Sequence, residues 1–222
     1  MKIEELVRQY PYAYHMAETG TWDSIKRHGL LSTVALLDLF EIKGAARQSI
    51  ENERRPESVT INHPKHGQAV IRDQKPMTES ALLKCLKRPV TPRDWYRTLN
   101  GNVFFWLSSE RLARLLSARA YRHKQHCVLT LNTERLVALH EKQITLCPIN
   151  SGSTIFKPQP RGAGTFLPIA DYPFDEWTGR RPIRDAVVEL VVKYSVPNID
   201  GLVLRVEERK GDKIVKTVLN RL

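Results

Sequence analysis

The stretch with the most chemical content is Ala186-Val187-Val188-Glu189-Leu190-Val191-Val192, one carboxylate among six apolar residues. Such a run reads as a strand buried on both faces. A carboxylate there is costly unless it is paired or used. The use open to it is to hold a hydroxyl and to stabilise positive charge developing nearby. The plainer alternative is a Glu at a strand end, salt-bridged or turned to solvent. A second chemical group, His15, lies in Tyr12-Ala13-Tyr14-His15-Met16-Ala17-Glu18, which reads as a short strand. Trp22 to His28 follows as a helix with Thr21 at its N-cap and Gly29 as its stop.

Around these two groups the chain alternates short helices and strands. Residues 1–9 and 33–40 read as helices, the second capped by Ser32, and 41–52 continues helical in character. A basic pair, Arg54-Arg55, follows. Residues 62–67 read as a turn-rich loop, 69–74 as a strand and 77–86 as a helix. Thr91-Pro92 opens another helix, with Pro at its first position. Asn102 to Ser109 is an aromatic strand, in which alternation sends Phe105 and Trp106 to opposite faces. A helix over 109–123, a strand over 127–131, a helix over 133–139 and a strand over 144–147 come next. Residues 148–185 are loop-rich. Their small-residue runs 150–154 and 161–165 offer backbone donors to a phosphate, and Tyr172, Phe174, Trp177, Arg180 and Arg181 close the stretch. The end of the chain reads as a hairpin around Lys210-Gly211-Asp212.

At 222 residues with 41% hydrophobic content, one domain with a sizeable core is expected. Three scattered Cys with no metal-ligand spacing argue for a reducing compartment and against a disulfide framework. No apolar run approaches 18 residues and no apolar leader is present, so the expectation is a cytoplasmic chain with no membrane partner and no metal. The net charge of +11 and pI near 9.7 favour polyanionic partners. The excess is clustered over residues 84–97 and 110–124, the latter including Arg119 and Arg122. Solubility alone is the competing account of the charge.

The opening strand with His15, the segment "Trp22-x-x-Ile25-x-x-x-Gly29-Leu30-Leu31-Ser32" and the late strand with Glu189 resemble the ADP-ribosyltransferase superfamily. The closest likeness is to the DarT-like DNA ADP-ribosyltransferases, and a more distant one is to the RNA 2′-phosphotransferases. The resemblance implies an α+β fold of split, mostly antiparallel β-sheets with outer helices and an NAD cleft between. It also implies that NAD is a co-substrate, contacted by His15, Met16, Ala17, Gly29 and Leu30, with Phe105 or Trp106 stacked on nicotinamide. Glu189 would be catalytic, and one of Arg54 and Arg55 would help hold NAD and the developing charge. Residues 60–100 depart from the DarT pattern and are expected to be a family-specific insertion in a single domain spanning 1–222.

The chemistry implied is cleavage of the NAD N-glycosidic bond through an oxocarbenium-like state, with Glu189 holding a ribose hydroxyl. The resemblance and the charge together point to nucleic acid as acceptor, DNA ahead of RNA. Tyr172, Trp177, Arg180, Arg181, Arg119 and Arg122 are the expected contacts, the aromatics stacking an unpaired base. A toxin or phage-defence setting, with an antitoxin or hydrolase partner, comes from the resemblance alone. The alternatives are a protein or RNA acceptor, or an inactive nucleic-acid- or NAD-binding module of the same fold.

Overall fold

The structure is a computed structural model that describes residues 1–155 and 157–222. In chain order its first half has α1 (Ile3–Gln9), β1 (Tyr12–Glu18), α2 (Trp22–His28), β2 (Leu30–Leu31), α3 (Thr33–Leu39), α4 (Gly44–Asn52), β3 (Val59–His63), β4 (Gly67–Ile71), α5 (Glu79–Cys85) and α6 (Pro92–Asn100). The second half has β5 (Asn102–Trp106), α7 (Ser109–Leu116), β6 (Gln125–Asn132), α8 (Thr133–His140), β7 (Ile144–Cys147), β8 (Leu167–Pro168), α9 (Phe174–Thr178), α10 (Ile183–Ala186), β9 (Glu189–Lys193), β10 (Ser195–Val196), β11 (Val203–Lys210) and β12 (Lys213–Asn220). The fold is α+β. An eight-stranded sheet runs β12-β11-β6-β1-β5-β9-β7-β8, with every neighbouring pair antiparallel. The pairs β2–β10 and β3–β4 stand apart from it.

The sheet has a seam. β1 pairs with β6 over seven positions but with β5 at one, Tyr14 opposite Trp106. Beyond that pair the two halves diverge, and the site lies at the divergence. The main core packs Leu6, Trp22, Ile25, Phe105, Leu129, Leu190 and Val192 on one side of the sheet. On the other side α7 covers Met16 and Val128 with Leu112 and Leu116.

Local chemistry accounts for most helix starts. The side chains of Ser32, Thr78, Thr91, Ser108 and Asn132 each accept from a backbone N–H in the first turn of the helix that follows. At Thr91 the Asp94 carboxylate returns the bond, completing a capping box ahead of Pro92. Thr21 departs from expectation. Its hydroxyl donates to Glu18 O instead of capping α2.

Several boundaries differ from the sequence expectation. The helix expected over 109–123 ends at Leu116, because Tyr121 turns inward and its hydroxyl donates to Asp73. Residues 62–63 and 67, expected in a loop, belong to the β3–β4 hairpin, which packs through Ile61 and Ile71 on Leu37, Phe40 and Ile50. The helical character expected from 41 begins at Gly44, after a positive φ at Glu41. The strand expected over 186–192 starts at Glu189, the first residue of that run with strand partners on both sides, Trp106 and Cys147.

Gly29 is fixed by backbone geometry. Its φ is +82° and ψ 173°, a region open essentially to glycine alone. A Cβ there would lie 2.8 Å from Val196 O. Gly29→Ala is therefore expected to lose at least about 2 kcal/mol in urea unfolding. A variant unfolding within about 0.5 kcal/mol of wild type would show that the β2–β10 corner yields freely.

Candidate active site

The seam between β1 and β5 opens a cavity of about 410 Å³. His15 and Glu189 both line it. Strict strand alternation would put them on opposite faces, since Tyr14, Trp106 and Glu189 form one cross-strand row and His15 is one residue on. The divergence of the strands lets both reach one space. Its other walls come from α2, α3, β4 and the loop at 150–152. Residues 60–100, expected as an insertion, thus build part of the cavity wall.

Glu189 is 3% exposed. Its Oε1 accepts from the Ser151 amide at 3.1 Å, and its Oε2 makes no hydrogen bond of ordinary geometry, with the unpaired Ser151 hydroxyl and the Cys147 thiol as neighbours of the carboxyl. Burial raises its pKa to about 7, opposed by the hydrogen bonding from Ser151. The Ser151 amide is therefore engaged by a carboxylate and does not offer a phosphate cradle. Gly162 N in the other glycine-containing loop is likewise engaged, by Thr165 Oγ1 at 2.8 Å.

What holds Ser151 in place is Arg161, which is 1% exposed. Its guanidinium donates to Ser151 O and Ser153 O at 2.9 Å and to Gln159 O at 3.1 Å, and lies 5.7 Å from the Trp95 ring centroid. The backbone of Arg161 is itself anchored to Cys85 O and Lys87 N. In the sequence, the run 161–165 offers only small residues and backbone donors beside Arg161. A lone Arg beside Gly-x-Gly carries no sequence signal of which carbonyls it will hold.

His15 Nδ1 lies 2.8 Å from Phe104 O. A carbonyl only accepts, so Nδ1 carries the proton and Nε2 is an acceptor. Burial lowers the His15 pKa to about 4, which keeps this neutral form through the physiological range. Phe105 is fully buried and tilted against His15, with ring centroids 5.7 Å apart. Phe105 reaches the cavity wall, but its ring is packed in the core and backs the imidazole, which leaves Trp106 of the expected pair to face a ligand. Trp106, half-buried, lines the cavity and remains the available aromatic.

Met16, Ala17 and Gly29 line the cavity, whereas the side chain of Leu30, 4% exposed, belongs to the core. The basic pair separates. Arg54 Nε donates to Met77 O, and Arg54 is not among the lining residues. Arg55 lines the cavity but is 7% exposed, with its guanidinium held by the carbonyls of Ile50 (2.6 Å) and Arg72 (3.2 Å). Burial lowers its pKa to about 10. Arg72, missed in the sequence, is the half-buried cation of the cavity. It donates to Met16 O at 3.0 Å and lies over the Tyr121 ring at 5.0 Å.

The residues expected to contact nucleic acid fall into two groups, neither lining the cavity. Tyr172 is 2% exposed and its hydroxyl donates to Ala186 O at 2.6 Å, so it cannot stack a base. Trp177 is half-buried against the main core, with the guanidinium groups of Arg181 and Arg180 4.1 and 5.6 Å from its ring centroid. The aromatics of this loop hold it down, which corrects the base-stacking expectation. Arg119 and Arg122 are exposed, on the turn after α7 whose Tyr121 lines the cavity.

Among the described residues no group of His, Cys, Asp and Glu is arranged to hold a metal, and no helix is long and apolar enough to cross a membrane. Cys85, Cys127 and Cys147 are free and buried. No curated protein matches the chain. The stretch that carries both His15 and Glu189 matches, over residues 11–203, the model of a family of unknown function, DUF7002, and the chain belongs to that family.

Proposed function

We propose that the chain is an NAD-dependent ADP-ribosyltransferase acting on nucleic acid, DNA ahead of RNA or protein. The observation that carries this reading is the pair of acceptors in one cavity, His15 Nε2 and the unpartnered Glu189 Oε2. One buried acceptor and one half-buried acceptor call for a ligand rich in donors, and ribose hydroxyls supply them. NAD supplies the ADP-ribosyl group and a leaving nicotinamide. His15 accepts from one ribose hydroxyl. Glu189, once ionised, accepts from another and places negative charge beside the sugar carbon as its bond to nicotinamide nitrogen breaks. The bonding electrons leave with neutral nicotinamide, and the acceptor forms the new bond at that carbon while losing its proton to solvent. Trp106 offers a flat surface to the leaving ring. The cleft of a split-sheet ADP-ribosyltransferase fits this arrangement, with the β1–β5 seam as its opening.

Incubation with NAD labelled on the adenylate side, separately with DNA, RNA and protein, tests the reading. Label on DNA with matching release of nicotinamide is the expected result. No release with any acceptor overturns it. His15→Ala is expected to weaken NAD binding about tenfold, the worth of one buried hydrogen bond. Unchanged affinity in calorimetric titration would remove His15 from the ligand.

A further inference from the structure

We propose that the turn after α7 and the tip of the β11–β12 hairpin form one surface that holds a nucleic-acid backbone beside the cavity. The acceptor class rests on the reading above, whereas the phosphate binding stands on its own observations. Leu115 and Tyr121 line the cavity from within, while Arg114, Arg119, Arg122 and Lys124 are exposed outside it. The hairpin tip docks on this segment. Ser117 Oγ donates to Asp212 Oδ1 at 3.1 Å, and a Cβ at Gly211 would lie 3.6 Å from the Arg122 carbonyl oxygen. Lys210 pairs with Gln125, the residue after Lys124, and with Lys213 across the hairpin.

Like charges directly opposite on paired strands destabilise a sheet. The exposed Lys210–Lys213 pair extends the basic turn at that cost. Among the described residues none of these six cations makes an ion pair, and the carboxylate nearest the tip, Asp212, is held by Ser117. A polyanion supplies the missing countercharge. Among the described residues no large apolar side chain is exposed within 114–124, but Ile214 and Val215 beside Lys213 are, so the vesicle arm of the test separates a lipid surface from a nucleic-acid backbone. Tyr121 is buried, so the turn presents cations without that stacking ring. The surface reads phosphates and is indifferent to base sequence.

The test is fluorescence anisotropy of labelled single-stranded DNA at two salt concentrations. The proteins are wild type, Arg119→Glu/Arg122→Glu, Lys210→Glu/Lys213→Glu, and a control of equal charge change on and after α8, outside both basic clusters, Arg135→Glu/Lys142→Glu. Each is checked for its melting temperature. The two surface variants are expected to lose tenfold or more in affinity, with a salt slope shallower by roughly 1.4 for two lost contacts. The control is expected to lose less than about threefold. Equal loss in the control, no binding by wild type, or tighter binding to anionic vesicles than to DNA overturns the surface. Wild-type nicotinamide release is measured in parallel. Its absence, with the two surface variants still selectively impaired, sinks the transferase reading and leaves the surface standing.

Discussion

Glu189→Gln is expected to give a folded protein that has lost nicotinamide release from NAD by at least about a hundredfold. The amide is nearly isosteric and its oxygen still accepts from Ser151 N, so the loop at 150–152 stays in place. What disappears is the negative charge that the proposed mechanism puts beside the sugar carbon. The pH dependence carries the same signature. With its pKa at about 7, Glu189 ionises through neutrality, so on the proposed reading the wild-type rate is expected to rise with pH across that range. Stability moves the other way. A carboxyl whose folded pKa is raised binds its proton more tightly folded than unfolded. Its stabilising contribution is therefore complete below the ordinary value of 4.5 and is lost as pH rises towards 7. The loss approaches roughly 3 kcal/mol. Glu189→Gln has no such dependence, so urea unfolding of the two proteins from pH 4 to 8 should diverge in favour of the variant as pH rises. Wild-type turnover by a folded Glu189→Gln protein removes Glu189 from the chemistry. Parallel stability curves show that its carboxyl is not held protonated by burial.

Arg161→Ala carries the largest expected stability loss. The substitution strips three backbone carbonyls, those of Ser151, Ser153 and Gln159, of a charged donor in a site that is 1% exposed. Hydrogen bonds to charged groups contribute about 1.5–3 kcal/mol each, partly offset by no longer burying the guanidinium. A net loss of about 3 kcal/mol, or roughly 10 °C in melting temperature, is expected. The effect reaches Glu189, because Ser151 N, its hydrogen-bond donor, sits on the released loop. The wild-type rise in rate near pH 7 should shift to higher pH. Arg161→Lys keeps the charge but cannot reach three carbonyls with one fork, so it should recover only part of the melting temperature. A melting curve for Arg161→Ala that overlays wild type would show that the loop is held by other contacts, such as Thr154 N to Pro76 O.

The sequence could place local features because they depend on near neighbours. Pro92 behind Thr91, Gly29 after His28 and Ser32 before Thr33 each act within one helical turn, and each structural element follows them. The apolar run around Glu189 revealed burial because six aliphatic neighbours leave a carboxylate little access to water. Arg54 and Arg55 could not be told apart in the sequence, since both follow the same helix end. They separate when Arg55 turns in against Ile50 O and Arg54 turns out to Met77 O. Phe105 and Trp106 divided by alternation alone, but which face was core depended on what packed there. The aromatic loop at 172–181 read as an open platform because composition does not tell a ring facing water from one facing Ala186.

The α+β class was implied by the resemblance, whereas the sequence by itself determined most of the helices and longer strands, the burial of Glu189 and the basic balance. These are properties of short windows and sums. Tertiary structure alone decided that β1 and β5 meet at one residue pair and then part. That parting brings His15 and Glu189, 174 residues apart and on nominally opposite faces, into one cavity. It also decided that Arg161 holds the loop presenting Ser151, and that Arg72 reaches across from the β4 side to Met16. Strand divergence and long-range side-chain reach arise from the packing of elements far apart in sequence, and no local pattern encodes them.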